Sequence, residues 1–124
     1  MKHTNETILK LFESALDQLQ TPEEPKLLYE PIIYSMSGGG KRIRPTLLML
    51  SCEAFGGNAQ DALPAAAAVE MFHNFTLLHD DIMDNAAVRR GRPSVFARWG
   101  SNVAILSGDV MMIEAYRHLQ GVEG

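Results

Sequence analysis

An all-α fold, a helical bundle, is what this sequence predicts, and three observations predict it. Apolar residues recur at three- and four-residue spacing along most of the chain, the period of one helix face. Clusters of glycine and proline cut those runs at intervals of about one helix length. No stretch alternates apolar and polar residues as a half-buried strand would. Five helices are expected, with no repeat and no low-complexity tract.

The first is marked by Ile8, Leu11, Phe12, Ala15, Leu16 and Leu19, which share one face after Thr4 or Asn5 as cap. Thr21-Pro22-Glu23-Glu24 has the form of a capping box with proline at the first helical position, although Pro25 and Pro31 disturb the helix it would open. A second helix is expected from about Leu27 to Ser37, bent or restarted at Pro31 and stopped by Gly38-Gly39-Gly40. Pro45 then opens a third, through Thr46, Leu47, Leu48, Met49 and Leu50 toward Phe55, which Gly56-Gly57 ends. A long fourth helix, alanine-rich early and aromatic later, is expected from about Asp61 to Asp84. A loop from Asn85 to Gly100 comes next, and a fifth helix from Ser101 to about Gln120 is apolar on almost every side, so it should be buried from several directions. Little in the preceding sequence is spare to cover it, so a partner or further chain is expected there.

Composition narrows the function. The 124 residues hold at most one domain, with 46% apolar and 21% charged residues, ordinary for a globular protein. A net charge of -4 argues against nucleic acid as the main partner. The single cysteine, Cys52, cannot form an internal disulfide, and without a secretory signal the chain reads as cytoplasmic. The longest apolar runs, such as Ala62 to Val69 with Pro64 inside, are too short to span a bilayer.

The chemistry is concentrated in EMFHNFTLLHDDIMDNAAVRRGRP, Glu70 to Pro93. On a helix Asp80 and Asp84 fall on one face, roughly 6 Å apart along the axis. Two carboxylates pointing the same way among Leu77, Leu78, Ile82 and Met83 repel each other and lose hydration unless a cation lies between them. The alternative is a helix end whose acids face water. All-oxygen ligands suit Mg²⁺, which takes one or two carboxylates and completes its shell with water and phosphate oxygens. Asp81 points about a sixth to a third of a turn away, in a supporting position. Arg89 and Arg90 bring planar guanidinium forks that match phosphate oxygens. The set suggests a diphosphate site.

Gly38-Gly39-Gly40-Lys41-Arg42-Ile43-Arg44 has the look of a nucleotide phosphate loop. That loop needs a glycine where Ser35 stands and Ser or Thr where Arg42 stands, so the reading fails. A glycine turn can still bring backbone amides, Lys41 and Arg44 to one anion, or simply stop a helix beside solvated basic residues. His73 shares the Asp80 face about 10 Å away, as a buried hydrogen-bonding residue or a ligand. His79-Asp80 as a phosphohydrolase pair lacks the further histidines such sites need. Phe75 and Thr76, just below the acids, are core residues or the floor of a pocket for an apolar tail.

Taken in order, GGGKRIRP, HNFTLLHDDIMD, VRRGRP and AILSGD closely resemble the N-terminal part of the trans-prenyl diphosphate synthases, which include the farnesyl and geranylgeranyl diphosphate synthases. The likeness runs from Leu27 to the C-terminus. It implies the isoprenoid synthase bundle and a Mg²⁺-assisted reaction. An allylic diphosphate ionises to an allylic cation, isopentenyl diphosphate attacks through its double bond, and loss of a proton completes chain extension. By resemblance, Asp80 and Asp84 hold Mg²⁺ against the allylic diphosphate with Asp81 supporting, and Arg89 contacts the same group. Lys41, Arg44, His73 and Arg90 match the isopentenyl diphosphate site. Homodimers with the fifth helix near the interface are the family's habit.

The resemblance also implies a short product. Bulk below the first aspartate motif limits chain length in this family, and Phe75 is large. The two-residue insertion of many bacterial farnesyl synthases is absent, which favours geranylgeranyl. Family members carry a second aspartate-rich motif on a later helix, and residues 1–124 stop before it. They are therefore expected to be the N-terminal portion of one synthase domain, inactive by themselves. The competing expectation is a noncatalytic homologue or small subunit that docks on a partner.

Overall fold

The computed structural model describes residues 4–17, 26–37 and 40–120. Six α-helices and one minimal hairpin are present among them: α1 (Asn5–Asp17), α2 (Lys26–Met36), α3 (Ile43–Ala54), α4 (Leu63–Met83), β1 (Val88–Arg89), β2 (Arg92–Pro93), α5 (Val95–Trp99) and α6 (Ser101–Leu119). The all-α expectation holds. The expected capping box at Thr21 to Glu24 lies outside the described residues.

Local chemistry accounts for most boundaries. At α1 the Thr4 hydroxyl accepts from the Thr7 amide at 3.3 Å, the bond a cap residue makes. Pro31 sits inside α2, where its missing N–H costs the Leu27 carbonyl a partner, and Leu27 is exposed. The third helix starts at Ile43, two residues before the expected Pro45, which occupies the third position. The first intrahelical bond there is Thr46 N–H to the Arg42 carbonyl, so the proline removes no donor the helix would use. A short 3-10 turn, Ala59–Ala62, precedes α4, which begins at Leu63 rather than Asp61 with Pro64 in its first turn.

Helix α4 is the central element. Its early alanines, Ala62 just before it and Ala66 within it, join Ile8, Phe12 and Met49 in a core shared with α1 and α3. Farther along, Ala68, Met71 and Leu78 pack with Ile32, Met36, Val95, Ala104, Met111 and Ala115 of α2, α5 and α6. Small side chains let neighbouring backbones approach. Gly108 on α6 lies where a Cβ would come within 2.7 Å of His79 Nε2 and 3.4 Å of Phe75.

One expectation is corrected here. The Asn85–Gly100 segment is not a plain loop: it folds into the β1–β2 hairpin and α5, so the described residues hold six α-helices rather than the expected five. Two-residue strands cannot show alternation, and this is why the pattern is silent there. Among the described residues, elements of this chain cover α6 on one side, and Ile105, Leu106, Ile113, Tyr116 and Leu119 are exposed, in keeping with a helix that the preceding sequence was not expected to cover alone. Among the described residues, no helix is long and apolar enough to cross a membrane.

Candidate functional site

The site is built around the last three turns of α4. That helix ends in a Schellman motif: Asn85 adopts φ +52°, its N–H reaches the Ile82 carbonyl at 3.2 Å, and the Ala86 N–H reaches the Asp81 carbonyl at 2.9 Å. Asparagine tolerates this left-handed conformation better than most residues. The chain is thereby turned back along α4 immediately after the acids.

It returns as the hairpin. Val88 pairs with Pro93 and Arg89 with Arg92, leaving a two-residue loop, Arg90-Gly91, with φ of +54° and +78°. Positive φ at both positions is the type I′ requirement that suits a tight hairpin. Buried Ser94 closes its base: its hydroxyl donates to the Ala86 carbonyl at 2.7 Å and accepts from the Ala97 amide at 3.0 Å, capping α5. Tyr34 of α2 donates to the Pro93 carbonyl at 2.7 Å, and the Arg92 guanidinium lies 3.8 Å above the Tyr34 ring while donating to the Tyr34 carbonyl. The hairpin is thus pinned to the bundle from both sides.

Asp80 and Asp84 are exposed at the end of α4, and neither carboxylate accepts a hydrogen bond from the described residues. At 100° per residue they lie within roughly 40° of each other and of His73 on the helix wheel. Asp81 is different. It is buried and accepts three hydrogen bonds from Arg89, Nη2 to Oδ1 at 2.6 Å and Nε to both oxygens at 3.2 Å. That bond, with the fields of Asp81, Asp80 and Asp84, holds the Arg89 pKa above its ordinary value despite partial burial.

The second cluster lies up α4. Arg44 Nη1 stands 3.3 Å from His73 Nε2. A guanidinium only donates, so Nε2 is the accepting, unprotonated nitrogen. Partial burial, with Arg44, Arg90 and Arg89 nearby, lowers the His73 pKa and favours the same neutral form. Arg90 Nη1 donates to Asn74 Oδ1 at 3.4 Å, and its guanidinium passes close over Gly40, where a Cβ would stand 3.1 Å from the central carbon. Lys41, next to Gly40 in sequence, is exposed.

Beside the second cluster a groove of about 480 Å³ runs between α4 and α6, walled by Phe72, Thr76 and Tyr116 with Arg44 and His73 at one side. Thr76 lines it and Phe75 does not. The Phe75 ring packs edge-on against His79 at 4.7 Å and Phe72 at 5.4 Å, turned toward Gly108, because its place on the wheel is roughly half a turn from the acids.

Sequence reasoning missed the polar residues behind the site. Arg42, buried and at φ +53°, donates from Nε to Glu13 at 3.1 Å and from Nη2 to the Met36 carbonyl, and lies 3.8 Å from Glu70. It ties α1, α2 and α4 together at the glycine loop. Glu70 and Asn74 are both buried; burial raises the Glu70 pKa, against the lowering fields of Arg42, Arg90 and Arg44. A signal was available: two polar residues four apart, on the same side of the otherwise apolar α4, belong to one network more often than to solvent.

Residues 25–123 match the polyprenyl synthetase family, and the chain belongs to that family. Among its relatives are the geranylgeranyl diphosphate synthases of Methanosarcina mazei, 48% identical over 111 residues, and of Saccharolobus solfataricus, 47% identical over 103 residues. These alignments cover 90% and 80% of this chain but 34% and 31% of the relatives, so the chain spans about a third of the length of the curated relatives it matches. A crystal structure of a geranylgeranyl pyrophosphate synthase superposes with a TM-score of 0.94 at 47% identity, over 98% of this chain and 37% of that one.

Proposed function

We propose that these residues form the N-terminal part of a short-chain trans-prenyltransferase domain that joins an allylic diphosphate to isopentenyl diphosphate, with geranylgeranyl diphosphate as the preferred product and farnesyl diphosphate the next. The observation that carries this reading is that one helix bears two unlike polar sites. An exposed acid pair, Asp80 and Asp84, ends α4, and two turns earlier the Arg44–His73–Arg90 cluster stands over an apolar groove.

The donor set fits Mg²⁺. Two oxygen ligands on one helix face, exposed and accepting no hydrogen bond from the described residues, leave the remaining positions for water and phosphate. Among the described residues no group of three or more His, Cys, Asp or Glu side chains gathers. A divalent cation bound there supplies Lewis-acid stabilisation to the departing diphosphate. Arg89, pre-positioned by Asp81 and partly offset by it, stands as a fixed cation beside that leaving group and needs no reorganisation as negative charge develops. Lys41, Arg44, His73 and Arg90 bind the isopentenyl diphosphate head group, and Thr76 and Phe72 border the space for the growing tail, with Phe75 behind them. No side-chain nucleophile is needed.

The exposed apolar residues of α6 support a homodimer, and the free Cys52 suits a reducing, cytoplasmic setting. The test is a hybrid in which residues 1–124 replace the matching segment of the Methanosarcina mazei relative, incubated with Mg²⁺, dimethylallyl diphosphate and labelled isopentenyl diphosphate. A twenty-carbon product, lost in Asp80→Ala, is expected, whereas residues 1–124 alone should give no prenyl product. A folded hybrid that makes none would overturn the proposal.

A further inference from the structure

Adjacent arginines are held here in opposite ways. Arg89 is gripped by a carboxylate, Asp81, so the hold itself offsets its charge. One of the groups that hold Arg90 is an amide. Asn74 is 1% exposed, and its Nδ2 donates to the Glu70 carbonyl at 2.9 Å and to Glu70 Oε1 at 3.3 Å. Its Oδ1 accepts from Ser35 Oγ at 3.3 Å and from Arg90 Nη1 at 3.4 Å. Chemistry fixes this orientation. Both Glu70 atoms are acceptors and demand the amide nitrogen, while a guanidinium is a donor and demands the amide oxygen. Glu70 therefore sets which way Asn74 points, and Asn74 steers Arg90 with a partner that adds no negative charge. Gly40 completes the slot, since any side chain there would meet the guanidinium.

The geometry points to Asn74, oriented by Glu70, as a positioning residue that aims Arg90 at a substrate diphosphate while its neutrality preserves the local positive field. The inference rests on the diphosphate-binding reading above. It makes a claim that reading does not: an acid at position 74 would hold Arg90 more firmly and bind diphosphate worse.

The decisive variant exchanges the two side-chain types, Glu70→Gln with Asn74→Asp. Overall charge is kept and the glutamine amide can donate to the new carboxylate, while the negative charge moves to face Arg90; the aspartate has no donor for the backbone carbonyl of position 70, so that bond is lost. The 124-residue chain is titrated with inorganic pyrophosphate and followed by NMR at the Arg Nε–Hε and His73 signals, with thermal unfolding measured in parallel. In the unaltered chain, pyrophosphate should shift the Arg44, Arg90 and His73 signals. The exchanged variant should melt several degrees lower, from the lost carbonyl bond and the loss of the Glu70 charge beside buried Arg42, and where folded should bind about tenfold more weakly, the scale of one offset cation in a polyanion site. Asn74→Thr, which is shorter and loses the Asn74 hydrogen bond to Arg90 without adding charge, should weaken binding by about three- to tenfold, and serves if the exchanged variant fails to fold. Unchanged affinity in a folded variant of either kind would overturn the role of Asn74 alone. No shift at Arg44, Arg90 or His73 in the unaltered chain would overturn the diphosphate reading and this inference with it.

Discussion

Removing the Arg89 side chain should harm this protein far more than removing the charge it pairs with. The Asp81 side chain is 4% exposed and that of Arg89 37%, so the two ends of the ion pair differ in what each does when its partner is gone. Arg89→Ala strands a carboxylate out of water. Breaking a buried pair that way costs about 3–5 kcal/mol, and water reaching the exposed arginine end reduces this to about 2–3 kcal/mol. Asp81→Asn instead leaves a guanidinium that can turn to solvent, at a cost of about 1 kcal/mol for the weakened hydrogen bonds. For a chain of this size each kcal/mol corresponds to about 4 °C in melting temperature. Arg89→Ala should therefore lose about 10 °C and Asp81→Asn about 4 °C. The double variant should melt above Arg89→Ala, since the stranded charge is gone. Thermal and urea unfolding of the three variants provides the assay. Equal losses for the two single variants, or a double variant less stable than Arg89→Ala, would refute the burial argument.

Two further outcomes are expected. His73 should titrate below its ordinary value of 6.5, so between that pH and its lowered folded value the unfolded chain holds more protons than the folded one. Its small contribution to stability is present above pH 6.5 and declines as pH falls through that window. NMR titration of the ring should find this midpoint, and should find it raised when pyrophosphate offsets the neighbouring guanidinium charges. Gly108→Ala should cost about 1 kcal/mol because the new Cβ meets His79, more than offsetting the helix propensity gained. In a His79→Ala background the same substitution should turn stabilising, a change of sign readable in a double-mutant cycle of urea unfolding.

The helices were legible where side chains repeat with a helical period and poorly legible where backbone geometry decides. Ile8 and Phe12 of α1 announce their burial by spacing, and the Asp80–Asp84 pair comes from helical geometry alone. The hairpin was invisible because its strands are two residues long and its turn depends on positive φ at Arg90, a conformation that an arginine does not advertise. For the same reason the sequence pattern places the start of α3 two residues late: Arg42 turns left-handed ahead of it, and Pro45 marks the first turn without marking the first residue. Phe75 was near the acids in sequence, yet α4 rotates it toward α6, which leaves Phe72 at the groove. Division of labour between Arg89 and Arg90 needed coordinates, because only the folded chain pairs one with Asp81 and the other with Asn74.

The central claim is that Asp80 and Asp84 together hold a divalent ion against a diphosphate. It is tested most directly by substituting Mn²⁺ for Mg²⁺ and measuring, with inorganic pyrophosphate present, which backbone amide signals the paramagnetic ion broadens. Broadening should centre on the last turn of α4 and the Arg89 strand, reach Thr76 and His73 more weakly, and vanish in Asp80→Asn/Asp84→Asn. Broadening centred on other acids, such as Asp61 or Asp109, or left intact by the double substitution, would contradict it.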